Sequence, residues 1–223
     1  MKNVKIPLLL AFSLSNAAAL IYQIVWSREL GYIFGTSMYA ITTVLASFMA
    51  GLAIGSFIFG RIIDRSRDPI RLFSYLQISI GAYGLAIIAL FKFIPYFYHI
   101  LYDYFSWNQQ IFIFSLFILS FIVLIFPTTL MGSTFPVISK IFNKDLERIG
   151  NDIGTIYGAD TIGAFLGVVL GGFILMPLFG LDKTLVFAAM INIISGIYIL
   201  RILSQGYLNI DSIEKNMRIH AKS

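Results

Sequence analysis

Asp160 has the clearest chemical potential in the chain, because it interrupts an otherwise apolar run about two helical turns from its start, beside Tyr157 and Thr161. A carboxylate in hydrocarbon is costly, so its retention signals either a ligand or a structural partner. On a helix Asp160 shares a face with Gly163 and Gly167. Two roles fit: a site for a small cation or a proton, and a hydrogen-bonding partner for an Asn or Gln of another helix. In the first apolar run Ser13, Asn16 and Gln23 fall near one face, since three and seven residues approximate one and two turns. They line a polar path, or they bond across helices in contacts worth roughly 0.6–2 kcal/mol. Asn192, in the last apolar run, carries the same two readings. Asp160, Asn16, Gln23, Tyr157 and Asn192 are therefore the candidate substrate or ion ligands.

Other chemistries find no support. The chain has no cysteine, which excludes disulfides and thiolate metal sites. His99 and His220 stand alone, without companions at metal-ligand spacing. No nucleophile elbow occurs. No catalytic residue, metal or cofactor is assigned.

The elements that must position these residues are six apolar runs, roughly Ile6–Trp26, Met38–Phe59, Leu72–Phe93, Ile111–Met131, Ile153–Phe179 and Thr184–Leu203. Each meets the requirement of about 20 mostly apolar residues for a hydrocarbon core about 30 Å thick. Mean hydropathy is +0.86 and apolar residues make up 58%, more than a soluble core can hide. The expected fold is all-α: a polytopic membrane protein of six transmembrane helices over residues 1–203, followed by a polar cytoplasmic tail, 204–223. Within the tail, Ile210 to Lys215 reads as a short interfacial helix or a frayed end.

Of the 16 Lys and Arg residues, only Arg28, Lys92 and Lys183 fall on the second set of alternating connections. Such an excess on one side places both termini in the cytoplasm and makes the chain a multi-pass protein of the plasma membrane. Membrane-flanking basic residues also account for the net charge of +5, so no nucleic-acid partner is invoked. Lys2 and Lys5 before an apolar stretch, with Ala17 to Ala19 as small residues, resemble a signal peptide. The stretch continues uncharged to Trp26, too long for an h-region of about 7–15 residues, and a retained first helix is expected. The connection from Ile94 to Gln110 contains Tyr96, Tyr98, Tyr102, Tyr104 and Trp107, which suit the headgroup level. Arg28 and Glu29 are adjacent, so they cannot face each other on a helix.

Spans two and five differ from the rest. Ser47, Gly51 and Gly55 recur every fourth residue in one, and Gly154, Gly158, Gly163, Gly167 and Gly171 follow similar spacing in the other. Small residues one turn apart let helix backbones approach closely. Their matching positions suit two inverted halves of three helices each, a 3+3 architecture found in transporters. Residue-by-residue identity between the halves is not evident, and the symmetry rests on hydropathy and glycine placement. Pro127 and Pro136 bracket Met131 and Gly132, predicting a bend that acts as a hinge or a static kink.

After span two comes Gly60-Arg61-Ile62-Ile63-Asp64-Arg65-Ser66-Arg67. It resembles the cytoplasmic loop motif of major facilitator transporters, with Ser66 where a second glycine is usual. The resemblance implies that Gly60, Asp64, Arg65 and Arg67 hold helix ends together and influence the inward–outward switch. Four ordered blocks extend the likeness: Ala19 to Arg28, Val44 to Ser56, Pro127 to Pro136, and Tyr157 to Ala164. Together they resemble the transmembrane portion of membrane-bound spermidine synthase-like proteins, itself similar to half of a major facilitator transporter. Asp160 stands where that family commonly has asparagine.

The soluble aminopropyltransferase domain of many such relatives has no counterpart in this sequence: no glycine-rich strand-turn-helix unit occurs, since Gly171 and Gly172 lie inside an apolar run. The resemblance implies a transport-like or partner-binding module connected with polyamine metabolism, acting as a homodimer or with a separate soluble protein, on a small cation such as a polyamine. Two rivals stand beside it: the membrane subunit of an aminopropyltransferase whose catalytic domain is on another chain, and a non-transporting anchor.

Overall fold

The computed structural model describes the backbone of residues 2–66, 68–142 and 149–220, and the side chains of 6–66, 68–142 and 150–202. Arg67 of the loop motif, and Lys144 and Arg148 of the charge count, lie outside the described residues, as do the side chains of Lys2, Lys5 and the tail. Among the described residues every regular element is helical: α1 (Lys2–Phe34), α2 (Ser37–Arg65), α3 (Pro69–Phe105), α4 (Gln109–Phe142), α5 (Ile149–Val169), a π-helical segment (Leu170–Leu175) and α6 (Met176–His220).

Local chemistry sets the turns. Gly35, at φ 67°, reverses the chain after α1 in a conformation that glycine adopts at little cost. Thr36 then caps α2, its hydroxyl accepting from the Met38 N–H at 3.4 Å. Asp68 caps α3 by accepting from the Arg71 N–H at 3.2 Å, with Pro69 in the first turn. Asn108 Oδ1 accepts from the N–H groups of Gln110 and Ile111 at 3.0 and 3.3 Å and starts α4.

Most helices outlast the apolar runs that predict them. α3 continues through Pro95 to Phe105, so most of the expected connection from Ile94 to Gln110 is helix and only a tight turn remains. Its aromatics Tyr96, Tyr102 and Tyr104 are exposed along that helical end, with Trp107 just beyond. α4 runs through both prolines to Phe142 without an interruption. The reason lies in neighbouring side chains. Pro127 has no N–H for the Val123 carbonyl, and the Tyr83 hydroxyl of α3 donates to that oxygen at 3.0 Å. Pro136 likewise frees the Gly132 carbonyl, which accepts from the Ser56 hydroxyl of α2 at 3.0 Å. Each freed acceptor is satisfied from a different helix, so the prolines tie α4 to α3 and α2.

The glycine stripes pack as the spacing predicts, but not against each other. A Cβ on Gly51 or Gly55 would overlap Thr128 or the Thr129 carbonyl of α4, and one on Gly163 or Gly167 would overlap the Ser13 or Ala17 carbonyl of α1. Gly171 sits against Ile21. Gly154 and Gly158 face open space, so the packed part of the α5 stripe begins at Gly163. α3 and α6 form a third close seam. A Cβ on Gly81 would stand 2.7 Å from the Ala189 carbonyl oxygen, and one on Gly196 would stand 2.7 Å from that of Ser74. The contact reads the same from either side. Around it the chain carries Gln77-Ile78-x-x-Gly81-x-Tyr83-x-Leu85 in α3 and Asn192-Ile193-x-x-Gly196-x-Tyr198-x-Leu200 in α6. The two segments that meet thus share Ile, Gly, Tyr and Leu at the same spacing.

Five segments among the described residues are long and apolar enough to cross a membrane: Ile6–Phe34, Ser37–Arg65, Pro69–Phe105, Gln109–Phe142 and Gly150–Ile202. Large apolar side chains line their outer surface, including Ile122, Phe165, Phe173 and Leu178. The buried set, by contrast, includes Thr43, Ser47, Ser74, Thr128, Ser133 and Thr184. Apolar residues outward and small polar residues between helices form the pattern of a bundle solvated by lipid. The protein is a multi-pass membrane protein. The last apolar segment is 53 residues long, about 80 Å as a straight helix. Gly180, at φ 77° and ψ 179°, breaks it.

Candidate binding site

Four of the five candidate ligands meet. Asn16 and Gln23 of α1 and Tyr157 and Asp160 of α5 line one cavity of about 450 Å³, closed by Phe48, Met49 and Leu52 of α2 and by Met131, Thr134 and Phe135 of α4. The glycine contacts explain how it forms. Where Gly163 and Gly167 press α5 onto Ser13 and Ala17 of α1, Asp160, one turn before Gly163, and Asn16, between those two α1 contacts, are brought side by side. Where Gly55 and Gly132 press α2 onto α4, the Gly132 carbonyl and Ser56 complete the opposite wall.

Asp160 is half-buried, with the Asn16 carboxamide as a polar neighbour. Asn16 Nδ2 donates to the Phe12 carbonyl at 3.1 Å, which fixes the amide plane one turn along α1. The Thr161 hydroxyl is drawn back to the Tyr157 carbonyl at 2.9 Å, leaving the carboxylate as the principal polar group that α5 offers the cavity. Met49 and Tyr157, 60% and 64% exposed, border its mouth. A lone carboxylate, two carboxamides and an apolar floor suit a primary ammonium group with an alkyl stem. Their oxygens are acceptors for such a nitrogen, and Phe48, Leu52 and Met131 offer apolar surface to methylenes. Among the described residues no group of three metal-ligating side chains occurs.

Asn192 does not line this cavity. It is fully buried in the α3–α6 seam near Gln77, which is also fully buried, and none of the four amide atoms has a hydrogen-bond partner among the described residues. The Tyr22 phenol faces Asn192 without reaching hydrogen-bonding geometry. Tyr22 stacks on Trp26 at 5.3 Å, and Trp26 packs against Phe48 at 5.7 Å. Since Phe48 lines the cavity, this aromatic column separates the open site from the closed seam. Ser13 contributes its backbone to the Gly163 contact and not to the cavity.

Reasoning from the sequence passed over Phe48, Ser56, Thr134 and Phe135. Ser56 follows Gly55 and Thr134 lies two residues after Gly132, so close-packed glycines were the available signal for which faces converge.

The loop motif is distinct from the cavity. Asp64 accepts from Lys140 Nζ at 3.2 Å, linking the ends of α2 and α4, so its basic partner is a lysine of α4. Arg61 lies over the Phe57 ring at 3.9 Å. Gly60 has open space around it, and Arg65 occupies the last turn of α2. Asp68 pairs with Arg71 at 3.0 Å one turn into α3. No family model, curated protein or solved structure matches the chain.

Proposed function

We propose that the chain is a membrane-embedded half-transporter module that takes small organic ammonium ions, polyamines among them, at the Asp160 cavity and works as a homodimer. One observation carries the reading: Asp160, Asn16, Gln23 and Tyr157, chosen for their chemistry alone, converge on one cavity between α1, α2, α4 and α5. A carboxylate held in the membrane beside two carboxamides is placed to replace the water shell of an ammonium group.

The finer architecture belongs to the same proposal. The 53-residue segment crosses twice, turning at Gly180, which gives six spans and brings both termini to the cytoplasmic, Arg- and Lys-rich side. Its halves are inverted repeats of three helices. The supporting pattern is that α2 meets α4 as α5 meets α1, each through glycines, while α3 and α6 meet through like residues. A single half provides one wall of a path. The mouth beside Met49 and Tyr157 opens toward apolar residues of α2 and α5, and a second copy would close it. The likeness of the four sequence blocks to spermidine synthase-like membrane proteins is the reason to favour polyamines over other cations.

The test is uptake of labelled putrescine and spermidine by proteoliposomes containing the purified chain. Saturable uptake by the native chain and its loss in Asp160→Asn are expected. Uptake equal to that of empty liposomes would overturn the transport reading. Crosslinking in native membranes should give a dimer, and only monomers would contradict the homodimer.

A further inference from the structure

A second cavity, of about 440 Å³, lies between the C-terminal end of α1 and the second half of α3, on the other side of α1 from the Asp160 site. Its walls are mostly aromatic: Tyr32 and Phe34 from α1, and Phe91 and Tyr98 from α3, with Pro95 and His99 completing the α3 side. Glu29 supplies the one carboxylate that lines it. Glu29 is half-buried, and among the described residues it has neither a hydrogen-bond donor nor a basic partner. Its neighbour Arg28 turns about 100° around the helix and lines a separate cavity with Gln23 and Ser27. The negative charge of Asp182, just past the Gly180 break, also acts on Glu29. A cavity that offers one carboxylate and is walled by rings presents a cation with both a counter-charge and ring faces.

We infer that this crevice is a binding site for a methylated ammonium group, with Glu29 as counter-ion and Tyr32, Phe91 and Tyr98 as its aromatic wall. The chemistry differs from that of the Asp160 cavity. There, carboxamide oxygens sit beside the carboxylate and reward a nitrogen that donates hydrogen bonds. Here the walls offer ring faces, which attract a cation without requiring a donor. Tyr98 is held for that role. It stacks on Tyr102 at 6.3 Å and meets Phe112 of α4 edge-on at 5.1 Å. The exposed aromatics Tyr96, Tyr104 and Trp107 at the same end of α3 suit headgroup depth. The ammonium therefore comes either from a choline lipid headgroup or from a soluble quaternary amine, and the chemistry of the site is the same for both.

The test is calorimetric titration of tetramethylammonium into the full-length protein in phosphatidylglycerol nanodiscs. Saturable binding is expected, weakened about tenfold or more in Glu29→Gln and in Tyr98→Leu and unchanged in Asp160→Asn. Retention of the monodisperse elution profile by Glu29→Gln separates a lost contact from a lost fold. Repeating the titration in phosphatidylcholine nanodiscs identifies the source. Suppressed binding there means that the lipid headgroup occupies the site, and undiminished binding means that the ligand is a soluble amine. The inference is overturned if Glu29→Gln titrates like the native chain, if Asp160→Asn is the variant that loses binding, or if the native chain shows no saturable binding.

Discussion

The Asp160 cavity and the α3–α6 seam are built from the same residue types and behave oppositely. Each contains two carboxamides and close-packed glycines, and the Phe48–Trp26–Tyr22 column runs between them. At the cavity Asn16, Gln23 and Asp160 are left facing space. At the seam Gly81 and Gly196 lie one turn beyond Gln77 and Asn192, and the backbones close over the amides. Polar side chains inside a membrane therefore do not mark a ligand site by themselves. Accessibility decides: Asn16, Gln23 and Asp160 line a cavity, whereas Gln77 and Asn192 are fully buried.

The largest expected effect separates packing from lining. Gly196→Leu must force a side chain into the Ser74 backbone, which cannot yield as a side chain can, so a loss of about 3 kcal/mol or complete loss of monodisperse protein is expected. Ala164→Leu, on the cavity wall, should leave thermal stability within about 1 kcal/mol while cutting putrescine binding, because it fills space that is empty. Equal damage from both, measured by thermal unfolding in detergent, would erase the distinction.

Next in size is the seam itself. Removing a buried carboxamide that has no partner relieves a desolvation cost of about 1–3 kcal/mol, so Asn192→Leu should raise the unfolding temperature and leave putrescine binding intact. A fall in stability would mean that Asn192 has a polar partner in the seam.

A smaller effect concerns the tie between α3 and α4. Tyr83→Phe deletes the donor to the Val123 carbonyl and should cost about 1 kcal/mol. In a Pro127→Ala background the helix supplies its own donor, and most of that cost should vanish. The double-mutant cycle in unfolding free energy measures the coupling, and additive effects would remove the explanation of why α4 runs unbroken through its prolines.

The smallest lies outside both regions. Asp64→Asn breaks the pair with Lys140, but Asp64 is 71% exposed and Lys140 47%, so stability should change by less than about 0.5 kcal/mol. If the loop motif has a role in switching, it appears in the uptake rate and not in unfolding.

Much of the architecture was legible in the sequence because hydropathy and charge report directly on solvation by lipid. The helical class, the approximate positions of the first four spans and the use of Gly51, Gly55, Gly163 and Gly167 for close packing all follow from local pattern. Helix ends were not legible: nothing in a hydropathy window says that Tyr83 and Ser56 will satisfy carbonyls freed by Pro127 and Pro136, and without those donors a stop near Met131 is the reasonable expectation. The cavity was legible in its chemistry, since four of its lining residues were singled out, but not in its boundary. Asn16 and Asn192 look alike along the chain, and only the contacts of Gly81 and Gly196 show that one is sealed away. The shared spacing around Gln77 and Asn192 is short and embedded in apolar sequence, and the contact between α3 and α6 is what sets it apart.

The central claim is that the Asp160 cavity binds a primary ammonium ion. Titration of labelled putrescine into the purified chain tests it most directly, in a Glu29→Gln background that silences the second crevice. Saturable binding that Asp160→Asn weakens at least tenfold, and that Asn192→Leu leaves unchanged, is the predicted result. Titration curves that coincide with and without the Asp160→Asn substitution would contradict the account.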